Sequence, residues 1–206
     1  KQVSFEKAAS GFMVADPLTL YDCCPTSDGA SCVILAADHV VRQFTDDPVW
    51  LRSSGAGSDR LALHDRPSIT QLVATQKASK SAYSAAGITA NDVDLAEVHD
   101  CFTVAEMIAT EDLGFTESGQ GGMFARDGQG IRNEGSVCIN PSGGLKSKGH
   151  PLGATGTGQA VEVFKQLRGS VESGRQVRDA QIGITHNVGG SGATCAVHVF
   201  GRDRNE

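Results

Sequence analysis

Residues Asn140 to Gly158 read NPSGGLKSKGHPLGATGTG, and the rest of the chain is organised around this glycine-rich stretch. Glycine lets backbone approach a ligand closely and permits positive φ angles. Pro151 restricts His150 to an extended or turn conformation, and a helical pattern runs from Gln159 to Leu167. The imidazole of His150 is therefore predicted to project from a loop beside the first turn of a helix. A glycine-rich turn with an incidental histidine is the alternative from this stretch alone.

The composition indicates a globular protein with one sizeable α/β domain, or one domain and part of another. Of the 206 residues, 39% are hydrophobic and 20% are charged. A net charge of −6 and a pI near 5.5 argue against a nucleic-acid-binding surface. No apolar run has membrane-spanning length, KQVSFEKAAS lacks a signal-peptide core, and GRDRNE is no peroxisomal signal. A cytoplasmic rather than peroxisomal location is expected, with neither nucleic acid nor membrane as a partner.

The cysteines favour neither a disulfide framework nor a zinc site. With no export signal, a reducing compartment is expected. Two of the cysteines are adjacent, the others are scattered, and no C-x-x-C pair occurs. The six are Cys23, Cys24, Cys32, Cys101, Cys138 and Cys195. No metal site is predicted.

One run in the N-terminal part predicts a buried strand. Residues 30–37 read ASCVILAA, which is typical of a strand buried on both faces of a sheet. The breaker DDP at 46–48 marks a boundary, so residues 1–45 and 46–206 are expected to belong to different domains.

A strand and a long helix are predicted next. Val49–Ser54 indicates a short strand, followed by a loop with the sequence GAGSD. A helix is expected to begin at Ser68, which has capping-box spacing to Gln71, and to end at Gly87 as a left-handed cap.

A second strand and helix place two reactive side chains at the edge of a sheet. The alternation over Asp92–Val98 predicts a strand that leads directly into His99 and Cys101. Thr103 and Glu106 have capping-box spacing, so a helix is predicted to begin at about Thr103 and to end at Gly114. Ligands of open α/β sheets bind at the carboxyl ends of the strands. His99 and Cys101 are therefore candidate site residues.

The C-terminal part predicts the rest of a mixed sheet. Residues 119–135 indicate an exposed excursion and residues 136–139 a short strand. Gln181–Asn187 and Ala193–Phe200 indicate a hairpin closed by GGSG. The predicted class is α/β, with a mixed five-stranded sheet covered by helices.

Three side chains are candidates for chemistry. A thiol at a helix N-terminus has its pKa lowered from about 8.5 to roughly 3.5–7.5, so Cys101 can act as an acid or base; burial as a small hydrophobe is the alternative. His150 can donate to an oxygen that becomes negative during acyl transfer, or be satisfied by backbone. Asn187 is a third candidate, although asparagine before glycine is ordinary in turns. The other histidines, which have no comparable context, are His39, His64, His186 and His198.

Three motifs, in this order, resemble the C-terminal half of a thiolase. They are HDCF (99–102), NPSGGLKSKGHPLGATG (140–156) and HNVGGSGAT (186–194). YDCCPTSDGA (21–30) also matches, so the resemblance covers essentially the whole chain. It is closest to sterol-carrier-protein-type thiolases and their archaeal and bacterial acetyl-CoA acetyltransferase relatives. The implied fold is half of a five-layer αβαβα sandwich.

The resemblance implies a role for each candidate side chain. His150 corresponds to the histidine that activates the nucleophile and contributes to an oxyanion hole, and Cys101 to the acid/base that moves the substrate or CoA proton. His99 corresponds to the position that holds the thioester oxygen. Asn187 stands where other thiolases place their acid/base cysteine. The other positions expected at the site are Gly189 in the third loop and, for substrate binding, Ser142, Gly143 and Gly149.

The implied activity is acyl transfer on acyl-CoA thioesters, by Claisen condensation of acetyl-CoA or thiolysis of 3-oxoacyl-CoA. Coenzyme A takes part as a substrate, and no covalently bound cofactor is expected. By the resemblance, residues 1–45 are the end of the loop region and the last strand of an N-terminal domain, and residues 46–206 are the C-terminal domain. The family is usually dimeric or tetrameric.

The nucleophilic cysteine of the family lies in an N-terminal half that these residues do not contain. None of the six cysteines matches its context. A longer polypeptide or a separate partner chain is expected to supply it. Two alternatives to a thiolase are a retro-aldolase subunit that acts on CoA side chains with an OB-fold partner, and a non-catalytic acyl-CoA-binding subunit.

Overall fold

A mixed five-stranded sheet forms the centre of residues 3–204, which the computed structural model describes. The strands in this part of the chain are β1 (Met13–Ala15), β2 (Leu18–Thr19), β3 (Trp50–Ser58), β4 (Leu95–Glu97), β5 (Cys138–Ile139), β6 (Ile182–Gly189) and β7 (Thr194–Gly201). The helices are α1 (Phe5–Ala9), α2 (Asp38–Val41), α3 (Val73–Ala86), α4 (Thr103–Asp112), α5 (Gly121–Arg126), α6 (Gly144–Lys148) and α7 (Thr155–Leu167). β1 and β2 form a separate two-stranded sheet.

The strand order of the main sheet is β3-β7-β6-β4-β5, which combines antiparallel and parallel pairs. β7 pairs antiparallel with β3 and β6, whereas β4 pairs parallel with β6 and β5. Gly190 and Gly192 have φ angles of 58° and 90° in the tight turn between β6 and β7. The predicted α/β class, the mixed five-stranded sheet and the final hairpin are confirmed.

Helices cover both faces of the main sheet. Adjacent residues of β4 belong to different apolar clusters, because Leu95 packs with α7 and Ala96 with α3. Successive strand residues point to opposite faces. α3 and α7 therefore lie on opposite sides of the sheet, and the core has two layers.

The contact between α3 and β3 is so close that it requires glycine. A Cβ atom at Gly55 would overlap the carbonyl oxygen of Ala78. We expect Gly55→Ala to lower the free energy of unfolding by about 1–3 kcal/mol, because the helix must move away from the strand. The matched control is Gly174→Ala, since a Cβ atom there has no atom within 4 Å. Equal urea midpoints for the two variants would contradict the close packing.

Residues 30–37 form no strand, and the prediction of a strand buried on both faces is wrong for this structure. Ile34 and Leu35 are 92% and 76% exposed. A strand needs a neighbouring strand with which to exchange backbone hydrogen bonds. Among residues 3–204, no strand pairs with this segment, so its apolar composition alone does not produce one.

The boundaries of β3 and α3 also differ from the prediction. The glycines predicted to lie in a loop belong to β3, which pairs with β7 as far as Ser58. α3 begins at Val73 rather than Ser68, because the N–H of Leu72 donates to Oδ2 of Asp112 on α4 at 2.6 Å. A tertiary contact therefore sets the start of this helix.

The other helix ends agree with the sequence more closely. Gly87 ends α3 in the left-handed region, with φ 66°, as predicted. α4 begins at Thr103 as predicted, but the hydroxyl of Thr103 donates to Oδ1 of Asp22 at 2.9 Å instead of taking part in a capping box with Glu106.

Residues 119–135 are more ordered than the predicted exposed excursion. They contain α5, and Phe124 on this helix is only 6% exposed because it packs into the core on the α3 side of the sheet.

Candidate active site

The candidate side chains meet at the carboxyl end of β4. β4 and β6 are parallel, with Glu97 opposite Thr185. His99 and Asn187 each lie two residues further along, so they emerge from the sheet side by side. Nδ2 of Asn187 is 3.4 Å from Nδ1 of His99. This is the edge of a sheet at which ligands bind in open α/β folds.

The imidazole rings of His99 and His150 contact each other. Their centroids are 4.9 Å apart and their planes are perpendicular. Burial, and then the proximity of His150, lowers the pKa of His99 to about 4. Burial also lowers the pKa of His150, although the carboxylate of Asp100 acts in the opposite direction. Both rings are therefore uncharged near neutral pH, and each offers one N–H donor and one bare nitrogen.

Asp100 holds the two histidine loops together. Its Oδ1 accepts the N–H of Leu145 at 2.7 Å, and its Oδ2 accepts that of Lys146 at 3.4 Å. A Cβ atom at Gly144 would overlap this carboxylate, so the loop can approach only because residue 144 is glycine. Burial raises the pKa of Asp100, and the N–H donors limit the rise.

A second buried carboxylate, Glu97, anchors the other end of the glycine-rich loop. Ser142 donates to it twice, from its N–H at 2.9 Å and from its hydroxyl at 2.7 Å. Lys148 Nζ lies 3.3 Å from Glu97 Oε2. Burial raises the pKa of Glu97, with Lys148 opposing the rise. The hydroxyl of Ser142, a predicted substrate-binding group, is thus engaged with Glu97 and Lys148.

The three glycines predicted at the site shape the loops around the histidines. Gly143 and Gly149 have φ angles of 92° and 90°, which favour glycine. Gly149 also faces Ser27, whose side chain a Cβ atom would meet. Gly189 is the last residue of β6 and pairs with Thr194 at the start of β7.

The segment around Cys24 and Pro25 lies across both motif loops. The N–H of Cys24 donates to the carbonyl of Cys101 at 2.9 Å, and the N–H of His150 donates to the carbonyl of Pro25 at 2.9 Å. These bonds place the loop of Cys101 and the loop of His150 on either side of one extended segment.

Cys101 is half-buried just before α4. Burial raises the pKa of its thiol, and Cys24 raises it further. The predicted lowering by the helix N-terminus is therefore wrong, because desolvation and the neighbouring thiol outweigh it. At neutral pH the side chain is a protonated thiol.

A protein-family model described as "Thiolase C-terminal domain-like" matches residues 55–202. The chain belongs to this family. The match covers all of the main sheet except the first residues of β3, and it includes His99, His150 and Asn187.

Curated relatives of this thiolase-family chain include an acetyl-CoA acetyltransferase and sterol carrier protein 2. The chain is 52% identical over 201 residues to an acetyl-CoA acetyltransferase of Methanothermobacter thermautotrophicus. The aligned region covers 98% of this chain and 52% of the relative. The chain is 39% identical over 198 residues to sterol carrier protein 2 of Bos taurus, covering 94% of this chain and 36% of that protein. The chain thus spans about half the length of the acetyltransferase relative.

A solved structure has the same fold. The Ltp2-ChsH2(DUF35) aldolase has a TM-score of 0.85 at 22% identity, covering 99% of this chain and 52% of the other. This likeness confirms the thiolase-like fold.

A further histidine of this thiolase domain, which the sequence did not single out, lies beneath His99 and is hydrogen-bonded to its backbone. His186 is fully buried on β6. Its Nδ1 accepts the N–H of His99 at 3.4 Å, and its Nε2 lies 2.9 Å from the hydroxyl of Thr75 on α3. Burial, followed by the proximity of His99, lowers the pKa of His186 to about 3. Strand alternation indicates an inward position, but not these partners.

The buried His186 should make stability depend on pH. Its folded pKa of about 3 lies below the unfolded value of about 6.5, so the unfolded chain binds more protons between these values. The stabilisation is complete above pH ~6.5 and is lost as the pH falls towards 3. In His186→Asn, the slope of unfolding free energy against pH should fall by up to about 1.4 kcal/mol per pH unit between pH ~4 and ~6. Urea titrations at several pH values measure this slope, and His64→Asn at an exposed position is the control. An unchanged slope in His186→Asn would contradict the low pKa of His186.

Within residues 3–204, no group of three or more His, Cys, Asp and Glu side chains is arranged to hold a metal ion. In the same part of the chain, no helix combines the length and the apolar character needed to cross a membrane.

Proposed function

We propose that this chain provides half of the active site of a thiolase-type acyltransferase that acts on acyl-CoA thioesters. The observation that carries the proposal is the contact between two uncharged imidazoles, His99 and His150. Cys101 follows His99 on the same loop, and residues 24 and 25 connect that loop to the loop of His150. Acyl transfer needs a base, a hydrogen-bond donor for the developing oxyanion, and a group that gives and takes a proton. These three side chains offer that set.

His150 is the proposed base. An uncharged imidazole can take the proton of a nucleophilic thiol, and the resulting imidazolium can then donate to the leaving CoA sulfur. The thiol belongs to the part of the complete enzyme that these residues do not include, in the same or a separate polypeptide. Within residues 3–204, no cysteine side chain is hydrogen-bonded to His150, whose Nδ1 lies 2.7 Å from the hydroxyl of Thr155.

His99 is the proposed donor to the thioester oxygen, with Asn187 supporting its ring at 3.4 Å. A donor held in place in a water-poor site stabilises an oxyanion without reorganising at the moment of reaction. The low pKa of His99, about 4, suits it to donate as a neutral ring rather than as a cation.

Cys101 is the proposed proton shuttle. As a protonated thiol it can protonate the carbanion that leaves when the carbon–carbon bond of a 3-oxoacyl-CoA breaks. The Cys101 thiolate then takes the proton of incoming CoA, whose sulfur attacks the acyl-enzyme. The nucleophilic cysteine leaves and recovers its proton from His150, and the shortened acyl-CoA is released. The shuttle returns to its starting state.

Coenzyme A therefore takes part as a substrate, and the proposal requires no covalently bound cofactor. We assign residues 1–45 to the end of the loop region and the last strand of the N-terminal thiolase domain, and residues 46–206 to the C-terminal domain. The exposed apolar side chains of residues 30–37 then pack in the complete enzyme, which we propose to be a homodimer or tetramer.

A chimera tests the proposal. This chain replaces the matching half of the Methanothermobacter thermautotrophicus acetyltransferase, whose remaining half then supplies the nucleophile. We expect acetoacetyl-CoA cleavage that requires free CoA. Cleavage of a 3-hydroxyacyl-CoA to a carbonyl compound and a shorter acyl-CoA, without free CoA, would instead favour the retro-aldolase alternative, for which an OB-fold partner would then be sought. Acyl-CoA binding without any cleavage would favour the non-catalytic subunit.

A further inference from the structure

We propose that α7 fixes opposite tautomers on the two site histidines, through Thr155 on His150 and through Gln159 and Asn187 on His99. In this assignment His150 presents a bare Nε2 and His99 presents an Nε2–H. Thr155 and Gln159 are positioning residues, one turn apart on the buried side of the same helix, where they are 4% and 0% exposed.

The hydroxyl of Thr155 determines the proton position on His150. Its Oγ1 lies 3.1 Å from the carbonyl oxygen of Pro151, one turn earlier, and 2.7 Å from Nδ1 of His150. The carbonyl oxygen of Pro151 also accepts the N–H groups of Ala154 and Thr155. We assign the single hydroxyl proton of Thr155 to the same carbonyl, because threonine hydroxyls in helices commonly donate to the carbonyl four residues earlier. In this assignment Thr155 accepts from Nδ1 of His150. The neutral ring therefore carries its proton on Nδ1 and leaves Nε2 bare.

The proton position on His99 follows from a longer chain of bonds. Nε2 of Gln159 donates to the carbonyl of His186 at 3.0 Å, which fixes the orientation of this amide. Oε1 of Gln159 then accepts from Nδ2 of Asn187 at 3.2 Å. That same amide nitrogen lies 3.4 Å from Nδ1 of His99 and can only donate. Nδ1 of His99 is therefore bare, and the neutral ring carries its proton on Nε2.

The packing of α7 brings these groups within reach. A Cβ atom at Gly156, between Thr155 and Gln159, would lie 3.4 Å from the side chain of Asn187. The helix thus passes directly against the amide that holds His99, while its first residue holds His150. One rigid element sets both rings.

The tautomers themselves are independent of any reaction, whereas their chemical meaning rests on the proposed acyl transfer. In that reaction the bare Nε2 of His150 takes a proton and the Nε2–H of His99 donates to the thioester oxygen. One helix would then determine which ring is the base and which is the donor.

Long-range 1H–15N correlation spectra of the ¹⁵N-labelled full chain, recorded above neutral pH, test the assignment without an activity measurement. The variants His99→Gln and His150→Gln assign the two rings. We expect a protonated Nδ1 on His150 and a protonated Nε2 on His99. The same tautomer on both rings, or the reverse assignment, would overturn the proposal even if the chimera is active. The assignment would equally stand if the chimera were inactive.

Substitutions on α7 then test which residues set the tautomers. Thr155→Val removes the hydroxyl at constant shape, so the ¹⁵N signals of His150 should move towards those of a tautomer mixture, and kcat of the chimera should fall about tenfold. Thr155→Ser should restore both, and Thr157→Val is the matched control on the same helix. Gln159→Leu should change the signals of His99 in the same way. Unchanged spectra in folded Thr155→Val and Gln159→Leu would exclude a positioning role.

Discussion

Replacing His150 with asparagine is expected to lower kcat for acetoacetyl-CoA thiolysis by about 10³-fold in the chimera. General-base catalysis contributes roughly 10²–10⁴-fold, and His150 is the proposed base. Asparagine keeps a polar side chain of similar reach but cannot take a proton at neutral pH. KM for acetoacetyl-CoA should change little, because substrate binding does not depend on the base.

The control for this substitution is His64→Asn. The side chain of His64 is 85% exposed and lies outside the histidine pair, so the same chemical change there should leave kcat unaltered. A His150→Asn enzyme that keeps most of its turnover would show that another group activates the nucleophile.

Replacing Cys101 with alanine should lower kcat by about 10²–10⁴-fold, because the leaving carbanion and the incoming CoA both lose their proton shuttle. Transfer of an acetyl group from acetyl-CoA to the enzyme should remain, since that step uses His150 and not Cys101. Steady-state thiolysis and single-turnover acetylation, measured on the same preparation, separate the two steps.

Cys138→Ala is the matched control, because this thiol on β5 packs in the apolar cluster beneath α7 and belongs to none of the motif loops. If Cys101→Ala slowed acetylation and thiolysis equally, the thiol would be a structural part of the loop. The shuttle role would then have to be assigned elsewhere.

The sequence predicted that His99 and Asn187 each lie near the carboxyl end of a strand, and the structure adds that the two strands are neighbours. His99 follows β4 and Asn187 lies near the end of β6, and parallel neighbours bring their carboxyl ends together. The glycine pattern predicted that His150 lies in a loop beside the first turn of a helix, and α7 begins five residues after His150. Local signals of this kind are sufficient when the geometry follows from element order.

Features that depend on distant partners were not predictable in the same way. The start of α3 depends on Asp112 of α4, and the failure of residues 30–37 to form a strand depends on the lack of a pairing strand among the described residues. The raised pKa of Cys101 depends on how deeply the loop is buried and on Cys24. Spacing along the chain carries none of this information.

The buried polar residues that support the site were missed for a related reason. In the sequence, nothing distinguishes Thr155, Gln159 and His186 from ordinary helix and strand residues. Their role follows only from the hydrogen-bond partners that the fold brings to them. Position on the inner face of an element would have marked them as buried polar groups that need partners. It would not have identified those partners.

The central claim is that His150 of this chain activates a cysteine of the complementary half for attack on a thioester. Mass spectrometry of the chimera mixed with acetyl-CoA tests it most directly. The account predicts one acetyl group on the nucleophilic cysteine of the Methanothermobacter thermautotrophicus half, formed rapidly with His150 and far more slowly in His150→Asn. A folded chimera that binds acetyl-CoA but acquires no acetyl group, or acquires it equally fast without His150, would contradict the account.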